Sequence, residues 1–150
     1  MPKSLSFITN TKEETKMLEI LPIQNKNEQR KMCEHLGVEY SQDMLAYSAR
    51  YAGQLCGICQ FKMTSRGGSL FSLTCAKQLP EDITEFQVLF TLGRAALNFI
   101  DLCGVHKAYY DGKDTDDMLL RQIGFTKNAD GEYFIDLEGF FTSPCKCQSK

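Results

Sequence analysis

The sequence predicts an α+β domain: a mixed, mostly antiparallel sheet of about six to seven strands, flanked by helices. Three observations predict it. From Leu45 onward apolar residues recur with period two through three successive runs, joined by short segments that carry glycine. After Pro80-Glu81-Asp82 the spacing becomes helical from Ile83 to Cys103. A short strand-like run follows that helix at once, so the helix reads as a crossover between parallel strands.

In chain order, residues 1–16 are polar and lack a clear period, with Leu5, Phe7 and Ile8 as their apolar anchors. They read as an N-terminal extension, residues 17–141 as the domain proper and residues 142–150 as a tail. A strand is expected over Leu18–Ile23, stopped near Pro22. Asn25 or Asn27 can cap a helix over Glu28–Leu36, which Gly37 ends; its few apolar positions place it on the surface.

The runs Leu45–Tyr51, Leu55–Thr64 and Ser69–Ala76 form an antiparallel meander. Ala52-Gly53-Gln54 and Ser65-Arg66-Gly67-Gly68 are its turns. The long helix that follows is apolar on two flanks. Phe86, Leu89, Phe90, Leu97 and Ile100 lie on one, and Val88, Leu92, Phe99 and Leu102 on the other. Such a helix is covered on more than one face, by other elements or by a second copy in a homodimer. Gly104 closes it. Val105–Tyr110 reads as a strand and Asp114–Gln122 as a helix ended by Gly124. Phe125–Thr126 and Glu132–Leu137 read as strands paired through Asn128-Ala129-Asp130-Gly131.

A length of 150 residues suits one domain, and 43% hydrophobic residues suffice for its core. The net charge of −2, from 17 Lys and Arg against 19 Asp and Glu, argues against a nucleic-acid or anionic-membrane partner. With no spanning apolar run and no signal-like N-terminus, a cytoplasmic location is expected. The seven cysteines are odd in number and several lie in apolar runs, which fits buried thiols. Cys56 and Cys59, with Cys145 and Cys147, could supply four zinc ligands. On a strand, however, an offset of three points the first pair to opposite faces, so no metal is expected.

The order and lengths of these elements resemble the GNAT superfamily of acyl-CoA-dependent N-acetyltransferases. GRAALNFIDLCGVHKAYYDG (Gly93 to Gly112) looks like that family's long helix and fifth strand. MLLRQIGF (Met118 to Phe125) looks like its closing helix and YAGQLCGICQF (Tyr51 to Phe61) like its hairpin. The resemblance spans about residues 17 to 140. It implies that the fourth and fifth strands part and hold the pantetheine arm of acetyl-CoA between them. It implies further that the pyrophosphate sits on amides at the start of the long helix, in a Q/R-x-x-G-x-G/A motif.

That motif falls on Thr84-Glu85-Phe86-Gln87-Val88-Leu89 and its expected residues are absent. No glycine lies between Gly68 and Gly93, and Glu81, Asp82 and Glu85 add negative charge. The family's tyrosine acid falls on Leu120, which cannot donate a proton.

By the same resemblance, Leu73, Thr74, Cys75, Gln87, Val88 and Leu89 would line the cofactor, with Tyr109 and Cys75 as catalytic candidates. Whichever of Tyr109 and Tyr110 points into the cleft could act as the acid, and Asp111 could receive the amine. Glu39 or Asp43 could serve as base, while His106 and His35 fit structural or solvent-facing roles. Two readings follow. One is an N-acetyltransferase in which a small-molecule or peptide amine attacks acetyl-CoA directly. The other is a GNAT-like binding or regulatory module that does not use acetyl-CoA. Helix amides open to solvent would favour the first, and side chains filling the cleft the second.

Overall fold

The computed structural model describes residues 16–113 and 116–141. Its strands are β1 (Leu18–Pro22), β2 (Leu45–Tyr51), β3 (Gln54–Thr64), β4 (Gly67–Cys75), β5 (Lys107–Tyr110), β6 (Thr126–Lys127) and β7 (Tyr133–Asp136). Its helices are α1 (Lys26–Leu36), α2 (Glu85–Leu102) and α3 (Asp117–Ile123). They form one seven-stranded sheet in the order β1-β2-β3-β4-β5-β7-β6. Every strand pair is antiparallel except β4–β5, which α2 connects as a crossover.

Local chemistry sets the ends of these elements. Asn25 caps α1 by accepting from the Asn27 and Glu28 amides, and Gly37 closes it at φ 76°. A two-residue turn joins β2 to β3, with Ala52 and Gly53 at φ 52° and 82°. Both residues in the left-handed region match the twist of the flanking strands. The next turn is Ser65-Arg66, so Gly67 and Gly68, expected in the loop, begin β4 instead.

The other differences at element ends have similar local causes. α2 begins at Glu85 rather than Ile83 because Thr84 is its cap. Cys103 is the C-terminal cap residue, with Gly104 one position beyond it. β5 starts at Lys107, two residues later than Val105, because the Val105 amide still bonds to the Ile100 carbonyl. Asp116 caps α3, which moves its start to Asp117; residues 114 and 115 lie outside the described residues.

The main core lies between the sheet and the pair α2 and α3. Leu92, Ala96, Leu97 and Ile100 of α2 are fully buried there. Phe99 meets Tyr47 and Phe61 edge-on at 6.4 and 5.8 Å. The apolar excess of this helix is therefore largely covered by its own sheet and by α3. α1 lies on the opposite face over a smaller cluster of Cys33, Ala46 and Ile58, and buries Gln29 as well as Cys33. It is thus less superficial than its sequence implies.

Cys56 is the extra residue where β3 bulges against the Ala49–Arg50 step of β2. Both it and Cys59 lie in the main core, so the opposite-face expectation fails where the bulge breaks the period of two. Among the described residues no helix is long and apolar enough to cross a membrane.

Two consequences can be measured. α2 approaches β3 so closely that a Cβ on Gly57 would lie 2.7 Å from the Thr74 carbonyl oxygen and 2.9 Å from Val88 Cγ1. Gly57→Ala should therefore cost about 1–3 kcal/mol, read as a lower urea midpoint at an unchanged slope. The second concerns His106, whose Nδ1 lies 2.6 Å from Asp101 Oδ1 across the α2–β5 connection. The hydrogen bond to Asp101 raises its pKa above the ordinary 6.5. A raised folded value means stability that is full below 6.5 and lost as pH climbs through that folded value. His106→Gln should accordingly lower Tm more at about pH 5.5 than at about pH 9.

Candidate functional site

The site begins with a break in the sheet. β4 pairs with β5 only at Gly68, Ser69 and Leu70, and the Asp111 amide closes the ladder on the Leu70 carbonyl at 2.8 Å. At the next residue β4 bulges: Phe61 faces Leu70 and Gln60 faces Ser72, which leaves Phe71 as the extra residue. From Phe71 to Cys75 β4 keeps β3 on one side and has no strand on the other among the described residues.

The bulge also resets which face each side chain meets. Leu73 and Cys75 join the core under α2. Ser72 turns to the α1 face, where its Oγ accepts from the Gln60 backbone amide at 3.3 Å.

Two cavities open along this bare edge. One, of about 490 Å³, lies toward α1 and the loop after it, with Glu39, Ser41, Gln60, Ser72, Asp111 and Lys113 in its wall. The other, of about 340 Å³, lies between Glu85 and Leu89 of α2 and Asp116, Leu119 and Leu120 at α3. Leu73, Thr74 and Tyr110 line both. Tyr110 is buried, crosses the Phe125 ring at 6.3 Å, and sets its hydroxyl where a Cβ on Gly112 would stand 2.4 Å away.

A buried amide network supports the larger cavity. Gln29 Nε2 donates to Gln60 Oε1 at 2.9 Å and to the Met44 carbonyl at 3.3 Å. Gln60 Nε2 donates to the Glu39 carbonyl at 2.8 Å and to Ser72 Oγ at 3.2 Å. Both glutamines are almost fully buried, and the bonds tie α1, the 37–44 loop, β3 and β4 together. The Glu39 carboxylate has no hydrogen bond or ion pair among the described residues. Asp43 is bound to Ser41 and to Lys62 at 3.3 Å, which hold its carboxyl below the usual range. Asp111 is likewise engaged, by Arg66 at 3.0 Å and by the Ser69 hydroxyl.

The smaller cavity has a different electrostatic character. At the start of α2, Thr84 Oγ1 accepts from the Gln87 amide at 3.1 Å and Gln87 Oε1 accepts from the Thr84 amide at 2.8 Å. This reciprocal cap occupies two amides with the helix's own side chains. Glu85 and Asp116 add carboxylates to the wall, and no Lys or Arg is among the described residues that line it.

Of the residues proposed from sequence, Leu73, Thr74, Cys75 and Leu89 come together in this smaller cavity. Gln87 is spent in the cap, and Val88 is buried against Gly57. Tyr109 points the other way: its ring lies 5.3 Å from Phe134, with the Arg66 guanidinium stacked at 3.7 Å. The reason is strand alternation. Lys107 and Tyr109 share the exposed face while Ala108 and Tyr110 share the buried one. That signal is present in the sequence, because a charged residue two positions before Tyr109 marks its face.

Burial pushes the Cys75 thiol up to about 11. Leu120, where the resemblance expects a tyrosine, is part of the apolar wall. Gln29, Gln60 and Asp116 are not singled out by sequence, since their roles depend on contacts between distant segments. Among the described residues no group of three or more His, Cys, Asp or Glu could hold a metal ion, and Cys145 and Cys147 lie outside them.

The sequence matches no family model, and no curated protein is significantly similar to it. Solved structures do match the fold. A Bacillus subtilis acetyltransferase in complex with CoA superposes with a TM-score of 0.59 at 14% identity, covering 81% of this chain and 99% of that one. The PaiA N-acetyltransferase of Thermoplasma acidophilum, in complex with coenzyme A, gives 0.57 at 13%, covering 80% and 99%. The ribosomal-protein-S18-alanine N-acetyltransferase of Escherichia coli gives 0.57 at 10%, covering 81% and 94%. The chain has the fold of these acetyltransferases.

Thiol chemistry offers a direct check on the site. Because the thiolate is the reactive form, alkylation of Cys75 should be slow at neutral pH and rise about tenfold per pH unit until about pH 11. Of the described cysteines, exposed Cys103 should be modified first, as read by peptide mass spectrometry.

Proposed function

We propose that this chain, which has the GNAT acetyltransferase fold, is an N-acyltransferase that moves an acetyl group from acetyl-CoA to an amine. The observation that carries the reading is the edge of β4 from Phe71 onward, left bare where β5 ends at Tyr110 and bordered by two cavities that meet at Leu73, Thr74 and Tyr110. The donor's thioester lies along the bare edge of β4 with its acyl carbon near Thr74, and the amine enters from the larger cavity.

The neutral amine attacks the carbonyl carbon, a C–N bond forms, and the oxyanion is stabilised by strand-edge amides. Collapse breaks the C–S bond, and the departing thiolate takes a proton from the Tyr110 phenol. The proton lost by the new amide passes to the Glu39 carboxylate or to water. Attack is direct rather than through an acyl-cysteine, because a Cys75 thiol with pKa about 11 stays protonated at neutral pH. Holding amine and thioester side by side supplies much of the rate.

A second reading, a binding or regulatory module on the same fold that does not use acetyl-CoA, is favoured by one observation. The Thr84–Gln87 cap and Glu85 occupy the helix start where a diphosphate would lie. The two readings separate in a thermal titration with acetyl-CoA. Acyl transfer requires a saturable rise in Tm, about 2.7 kcal/mol of stabilisation at a hundred times Kd. No rise with millimolar ligand leaves the module. If transfer occurs, Tyr110→Phe should lower kcat by about a hundredfold or more while KM for the donor changes less than about threefold. Release of the thiol at fixed amine concentration measures both.

A further inference from the structure

We infer that the donor is held by its pantetheine arm and not by its diphosphate, so that the substrate class is an acylated pantetheine thioester whether or not a nucleotide is attached. The inference rests on the reading of the cleft as an acyl-transfer site.

The first support is the strand edge. Five residues of β4, from Phe71 to Cys75, have no strand partner among the described residues on the side away from β3. An unpaired strand edge is a row of backbone donors and acceptors, and it recognises an extended chain that carries amides of its own. A pantetheine arm has two amides in an extended chain and so matches this edge.

The second support is the character of the smaller cavity's wall, where no cationic side chain stands among the described lining residues. A diphosphate is ordinarily held by helix N-terminal amides, by glycines that let the backbone approach, and by cationic side chains. Here Thr84 and Gln87 cap the helix with their own side chains. Glu85 and Asp116 stand in the cavity wall. The segment from residue 69 to 92 contains no glycine. The cap occupies two amides, the carboxylates repel an anion, and without glycine the backbone cannot approach one closely. Leu73, Leu89, Leu119 and Leu120 give one part of this wall an apolar surface that suits the arm's uncharged carbon chain.

Steady-state transfer and calorimetric binding to the full chain test this with three donors: acetyl-CoA, S-acetylpantetheine, and acetyl-phosphopantetheine carried on an acyl carrier protein. The expected result is a KM for S-acetylpantetheine within about threefold of that for acetyl-CoA, with the S-acetylpantetheine value insensitive to salt. A preference for acetyl-CoA of about a hundredfold or more overturns the inference and leaves the acyltransferase reading standing. Failure of all three donors to bind or react overturns both.

The carrier-bound donor distinguishes the sources. A KM at least about tenfold below that of the free thioester marks a carrier protein, and equal values mark a free thioester. A charge-reversing variant supplies an independent readout. Glu85→Lys should improve acetyl-CoA by about tenfold and leave S-acetylpantetheine unchanged, and an unchanged ratio of the two also overturns the inference.

Discussion

The single extra residue at Phe71 is the constraint on which the site depends. A parallel strand pair held along its full length would seal the sheet, and no ligand could reach between β4 and β5. Here β5 ends at Tyr110, opposite Leu70, and β4 runs on past its bulge at Phe71 with only β3 beside it among the described residues. Since a bulge shifts every later side chain by one position, it also decides which residues face which cavity. Ser72 faces α1, while Leu73 and Cys75 face α2. The bare edge of β4 and the polarity of the two mouths thus both start at Phe71.

The parted strands still need a rigid surround, and the two faces supply it differently. On the α2 face the support is apolar: Leu70, Leu92, Leu97 and Ile100 pack without exposure. On the α1 face it is a pair of buried glutamines whose amides bond to each other, to two loop carbonyls and to Ser72. Burying such groups is costly unless every bond is made, and no buried side-chain nitrogen or oxygen lacks a partner among the described residues. A network of this kind holds the 37–44 loop in one position, which an apolar contact of the same size would specify less sharply. The carboxylate of Glu39 therefore stands on a fixed backbone at the edge of the larger cavity.

Electrostatics then separates the two mouths. The larger cavity mixes Glu39 and Asp111 with Lys113 and several hydroxyls, a surface suited to a polar amine. The smaller one joins apolar side chains to two carboxylates beside a helix start that caps itself. A helix N-terminus is usually receptive to anions. In this chain the receptive groups are partly satisfied from within, which is the physical basis for the proposal that a donor is recognised by its uncharged arm.

The sequence by itself determined the fold class, the order of its elements and most of their ends. Those features depend on neighbours in the chain: period two in β2 and β3, Asn25 and Gly37 around α1, and glycine after each helix. It also determined the missing glycines and the acidic start of α2, since these are matters of residue identity. Tertiary structure alone decided the site. Lys107 marks the exposed face of β5 and Tyr109 with it, but that Tyr110 then meets both cavities depends on the elements packed around it. Gln60 finds Gln29 thirty-one residues away through a pairing no local pattern encodes. The Phe71 bulge, which arises only when β3 and β4 are aligned, moved the faces of Ser72 to Cys75. Local propensity acts over a few residues, whereas the site is assembled from segments brought together by the closing of one sheet.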